Sequence, residues 1–278
     1  MNRYSLLIVL PLFGFQAVSA TSSAPILIPA EEARQPWVFQ MTPFIWAAGI
    51  KGRMSPFQRG ETVEINQSFS EVLRNLNLGS FTNLWARNGR IVFSGNIMYA
   101  DGTDRKTYNN LPAFQVPGIT GVIPQGTHIN GRADTTQFMT TMMGGYRIMD
   151  TENYTLDILG GLRYWYMRNN VRVTATHPSI GEHRVSYGEK FWWIDPLIGA
   201  RLFAPVTENI SFMSEIDAGG LGIGSDYTWS LLSTVNYSFA NSLTASAGYK
   251  AFKVNYNRQG HVHDVLQYGP VLGLTWSF

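Results

Sequence analysis

From residue 37 onward, side chains alternate between apolar and small or polar residues in blocks that recur about every twenty positions. In Tyr227 to Phe239, Tyr227, Trp229, Leu231, Val235, Tyr237 and Phe239 share one parity, while Thr228, Ser230, Thr234, Asn236 and Ser238 share the other. Successive side chains of a strand point to opposite faces, so each block predicts a strand with one apolar and one polar face. Tyr154 to Arg168, Trp192 to Phe203 and Asn209 to Gly219 repeat the rule, and Trp37 to Ile50, Ser80 to Asn88, Ile91 to Ala100 and Thr136 to Arg147 follow it less cleanly. The final block, YGPVLGLTWSF, puts Tyr268, Leu272, Leu274, Trp276 and Phe278 on one apolar face. In water such a face would seed edge-to-edge aggregation; against lipid it is in place.

The connections are of two kinds. Short ones at 87–90, 150–153, 205–208 and 240–241 alternate with longer ones at about 54–78, 104–126, 175–186, 219–225 and 258–264. Outer-membrane barrels have short periplasmic turns and long outer loops. The expectation is an all-β fold: an antiparallel transmembrane β-barrel of about 10 strands, both termini periplasmic. Twelve strands would result if residues 61–69 formed a further span, and eight is the other alternative. In the first short turn, Asn88-Gly89 suits a primed geometry with both residues at positive φ. Tyr154 and Tyr166 lie twelve residues apart on one face, roughly 25–30 Å along a membrane normal for a tilted strand. That is the spacing of two interfacial aromatic girdles.

Residues 1–20 read as a cleaved export signal: Arg3, an apolar run from Leu6 to Phe15, and Val18-Ser19-Ala20 before the cut. Residues 21–36 are then a periplasmic extension and 37–278 the barrel. Composition agrees: charged residues are 14% where soluble domains average about 25%. There is no Cys, which excludes thiol ligands, a Cys nucleophile and disulfides. A net charge of +2 gives no reason to expect nucleic acid as a partner. The predicted location is the bacterial outer membrane, and the predicted partners are its lipid and lipopolysaccharide and the insertion machinery.

The aromatic C-terminal face, Tyr268 through Phe278, resembles the signal by which outer-membrane proteins are recognised for insertion. Four stretches, TPFIWAAGIKG (42–52), SFSEVLRNLNLG (68–79), ARNGR (86–90) and DAGGLGIGSDYTW (217–229), resemble a group of bacterial outer-membrane proteins. The resemblance implies place and fold, not an activity. The group's pattern has an acidic residue where this chain has Trp85.

Polar-face parity collects Arg147, Asp157, Arg163, Asp195, Arg201, Glu215 and Asp217 on the inner wall, with Lys250 beside them. A barrel of about ten strands is barely wider than one filled by its own side chains, so these charges should pair into a network. The functional expectation is a structural protein or narrow channel for small solutes with a charged, largely filled lumen. The alternative is a hydrolase acting on lipid or peptide at the outer rim. No cofactor or metal is called for. His261 and His263 with Asp226 superficially resemble the Asp/His pairs of omptin proteases, but read better as solvated loop residues. His177-Pro178-Ser179 is a weak nucleophile–base pair, and GGLGIGSD (219–226) a rim hairpin rather than a phosphate loop, since a strand follows it. Ser70 to Leu76 is the one helix signal, capped by Ser70 and docked at the rim or lodged as a plug.

Overall fold

The computed structural model describes residues 36–55, 62–111, 114–115, 122–123, 127–178 and 181–278. The expected signal, and the extension up to residue 35, lie outside the described residues. The strands run in chain order as β1 (Val38–Trp46), β2 (Gly49–Ser55), β3 (Val63–Gln67), β4 (Leu76–Asn88), β5 (Ile91–Leu111), β6 (Phe114–Gln115), β7 (Val122–Ile123) and β8 (Thr127–Asp150). They continue as β9 (Thr155–His177), β10 (Gly181–Pro205), β11 (Ile210–Gly219), β12 (Tyr227–Ala240), β13 (Leu243–Arg258) and β14 (His261–Ser277). Among the described residues a single helix, α1 (Phe69–Asn75), joins β3 to β4.

The ring is closed and antiparallel throughout. β1, β4, β5, β8, β9, β10, β11, β12, β13 and β14 pair in that order, and β14 pairs back onto β1. Closure pairs the wall strands around the whole ring, the only way a sheet can sit in hydrocarbon. β2 also pairs with β14, so β1 and β2 are one wall strand interrupted at Ala47–Ala48. A Cβ at Gly269 would lie 1.9 Å from the Ala47 carbonyl oxygen, so only glycine admits this bulge. The wall therefore has ten strands. β3 pairs only with β2, making a hairpin at the outer end rather than an eleventh span.

The alternation does what its pattern requires. Leu272, Trp276 and Phe278 are 63%, 59% and 72% exposed on the outer face, while Val265, Val271 and Thr275 of the same strand are buried. Inside, Trp46, Met98, Met139, Trp165, Met167, Phe191, Trp193 and Phe252 form the main apolar cluster, and Trp85, Val92, Met143, Leu159 and Leu197 a second.

Four local expectations need correction. The first turn is centred on Gly89 and Arg90, because Asn88 still pairs with Ile91; only Gly89 has positive φ, at 56°. Several expected outer loops are mostly strand: β5, β8, β9 and β10 run 21 to 25 residues, about twice a membrane span, and project beyond it. Between β13 and β14 only Gln259 and Gly260 are unpaired, with φ 55° and 81°, the signature of a type I′ turn. The α1 cap is Ser68 rather than Ser70. The Glu71 carboxylate accepts from the Ser68 backbone N–H at 2.7 Å and its hydroxyl at 2.8 Å. No α1 residue is buried, and the helix lies against β2, β3 and β5, as a rim helix does.

Candidate functional site

Strand register sets the inner wall. Arg147, Asp157, Arg201 and Glu215 are directly opposite one another across β8, β9, β10 and β11, a row of alternating charge. Arg147 donates through Nε to Asp157 Oδ1 at 2.7 Å and through Nη2 to Oδ2 at 3.3 Å. Arg201 lies 3.8 Å from Glu215, whose carboxylate also accepts from Ser94. Trp85 occupies this row's lumen side. The Arg201 and Arg147 guanidiniums stand 5.0 and 5.9 Å from its ring centroid, so the π face offers both cations a partner where the resembling group has an acid.

Higher up, Arg163 is opposite Asp195 in register but reaches elsewhere. Its Nη2 donates to both Asp217 oxygens at 2.9 Å, Nε to Thr141 at 3.0 Å and Nη1 to Thr228 at 3.1 Å. Asp195 takes a different set: the Ser225 backbone N–H at 2.6 Å, the Ser225 hydroxyl at 2.9 Å and the Trp193 indole at 3.0 Å. Ser225 belongs to the glycine-rich β11–β12 turn, so this turn is latched inward onto the wall. A Cβ at Gly224 would meet the Ile194 carbonyl oxygen at 2.3 Å, which explains a glycine there. Nothing in the chain's spacing pointed to a carboxylate held by a loop. Lys250 Nζ sits 5.3 Å from the rings of Phe44 and Trp46 and completes the layer.

All eight expected inner charges thus face the lumen. At their centre a cavity of about 10 Å³ is lined by Arg163, Glu215, Asp217 and Lys250, with Met139 and Phe252 from one apolar cluster and Met143 from the other. That is room for about one water. On the periplasmic side a vestibule of about 230 Å³ opens, walled by hydroxyls and amides such as Thr42, Asn83, Thr234 and Asn236, with Arg201 at its inner end.

A cavity of about 780 Å³ lies on the outer side. β10 meets β11 only from Leu197, and β13 meets β12 only up to Asn255, so the wall is lower here. The notch is bordered by Glu189, Phe191, Trp193, Tyr256 and His261. His261 and His263 are 4% and 1% exposed, not solvated loop residues as expected, because β14 begins at His261 and its odd positions point inward. His261 stacks on Phe191 at 4.1 Å, and its Nε2 lies 3.3 Å from Glu189 Oε1. Among the described residues neither ring nitrogen of His263 has a hydrogen-bond partner. Asp226 does not join either histidine: it stands 3.9 Å from Arg258 at the surface. His177 ends β9 at a hairpin tip, and Ser179 lies outside the described residues. Among the described residues no cluster of three or more metal-ligating side chains occurs.

A closed antiparallel ring, lipid-ready outside and charged inside, is the architecture of an outer-membrane β-barrel. One solved structure supports this fold, and others align over most of the chain. The outer membrane protease OmpT from Escherichia coli aligns over 87% of this chain and 97% of its own, at 10% identity and TM-score 0.50. The translocator domain of autotransporter NalP from Neisseria meningitidis aligns over 86% and 87%, at 12% identity and TM-score 0.46. Ail of Yersinia pestis aligns over 88% and 99%, at 12% identity and TM-score 0.30. No family model and no curated protein sequence matches the chain.

Proposed function

We propose that the chain resides in the bacterial outer membrane as a structural protein or narrow small-solute channel, its lumen largely closed by its own charges. The carrying observation is the layer around Arg163 and Asp217, which leaves about 10 Å³ between the outer notch and the periplasmic vestibule. Export with cleavage after Ala20, and recognition of Tyr268, Leu272, Leu274, Trp276 and Phe278 by the insertion machinery, complete the reading. All five side chains stand exposed on the lipid face. Planar-bilayer recording of the refolded protein tests closure. Negligible steady conductance is expected, and a persistent open state would refute it.

A rim hydrolase is the second reading. One observation favours it: the His261–Glu189 pair beside an open cavity, a histidine oriented by a carboxylate as a general base requires. OmpT, similar in fold, is a protease. Incubation with peptide and lipid-ester libraries, beside the His261→Ala variant, decides this. Turnover lost in the variant supports it, and no turnover by the intact protein removes it.

A further inference from the structure

The projecting wall of β5, β8, β9 and β10 carries its own pattern on the outside. Tyr99, Phe138, Tyr166 and Trp192 are directly opposite one another across these four strands. Such an aromatic row marks the outer membrane–water interface. Two residues further out on each strand the row reads Asp101, Thr136, Arg168 and Lys190. Four residues beyond that, Arg105, Arg132 and Arg172 stand in line.

Directly opposed like charges repel and destabilise a sheet, and here two cations face each other in one row and three in another. The local carboxylates do not balance them. Asp134 accepts from Arg132 at 2.9 and 3.0 Å and from Thr103 at 2.7 Å, and Asp101 is held by Asn77 and Thr136. Burial alone would raise the Asp134 pKa, but the bonds from Thr103 and Arg132 and the charge of Arg172 hold it below the ordinary carboxylate value. Five cations thus share this face with two carboxylates over three successive rows. Elsewhere on the outer rim neighbouring cations are joined by a carboxylate: Arg53 and Lys253 both pair with Asp264.

We infer that this face binds the phosphate groups of an anionic glycolipid in the outer leaflet, its acyl chains lying against the aromatic row and its phosphates bridging the opposed cations, Arg168 and Lys190 first and the arginine row beyond them. Guanidinium forks match phosphate oxygens bidentately, and a phosphate between two arginines turns a repulsive row into an attractive one. Height selects the lipid: the cations begin one step beyond the interfacial aromatics, where headgroup phosphates lie. The inference rests on outer-membrane residence but not on a closed lumen. Recovery of the protein in the outer-membrane fraction of cells checks residence separately.

The probe is a fluorescent diphosphorylated lipid A, titrated onto the refolded full-length barrel in neutral micelles, beside the same lipid freed of phosphate. Saturable binding that needs the phosphates and weakens with salt is expected. Replacing Arg105, Arg168 and Arg172 together by Gln should weaken it about tenfold, three exposed contacts each contributing a factor of about 2 to 3. Arg172→Gln alone, least able to disturb folding, should weaken it about 2-fold, and Arg172→Lys should restore part of that. Equal binding of the phosphate-free lipid, unchanged affinity in the folded triple variant, or displacement by millimolar inorganic phosphate would each overturn the assignment, the last showing a bare anion site.

Discussion

Replacing Arg163 by Met removes one charge and keeps most of the side-chain volume. Arg163 is 2% exposed and is bonded to Asp217, Thr141 and Thr228. Its loss leaves the Asp217 carboxylate, 4% exposed, without that partner in a cavity that holds about one water. Breaking one side of a buried pair costs about 3–5 kcal/mol. Lys250 lines the same cavity and can offset part of this, so the lower end is expected. The double variant Arg163→Met, Asp217→Asn removes both charges and should recover at least about 1 kcal/mol of the loss, the coupling of two groups in one network. Urea unfolding of the refolded barrel, followed by tryptophan fluorescence, measures all three proteins. A loss under about 1 kcal/mol would mean that solvent screens the pair. Coupled to a shift of reversal potential towards cation selectivity, it would refute the closed lumen and make Arg163 the wall charge of a water-filled channel.

Further outcomes follow from single contacts. Gly224→Ala should unseat the β11–β12 turn, because its Cβ would fall 2.3 Å from the Ile194 carbonyl oxygen; limited proteolysis should then cut at 220–226 in the variant alone. Phe278→Ala should slow assembly on a heat-modifiable gel, since the ring stacks on Phe39 at 5.8 Å where β14 meets β1. Single cysteines in this Cys-free chain should label from the periplasm at Gly89 and from outside at Gln259; the same side for both would undo the topology. In α1, the Ser68 backbone N–H and hydroxyl hold the Glu71 carboxyl below its ordinary pKa. The cap is therefore fully present above the unfolded value near 4.5 and lost as pH falls through the lower folded one. Hydrogen exchange at 69–75 should show this, and Glu71→Gln should lose most of the dependence.

The two-residue period, with the alternation of short and long connections, gave about ten spans, their inner and outer faces and seven of the eight charges of the inner layer; the structure set the count and placed Lys250 in that layer. A strand in a closed barrel has one lipid face and one lumen face, so parity maps directly onto environment. Partner choice was not legible. Arg163 faces Asp195 in register yet bonds Asp217, because a long guanidinium chain crosses a narrow lumen and settles where donors and acceptors match. Asp195 is held instead by a turn, contacts that no periodicity encodes. The histidines of β14 were misread because a Gly after Gln259 signals a turn without giving its length. Only the paired register shows that two residues suffice and that His261 already points inward. Likewise Arg105, Arg132 and Arg172 lie scattered over sixty-eight positions of chain. Their alignment into one row is a product of strand register, which pairing along the whole length of each strand fixes.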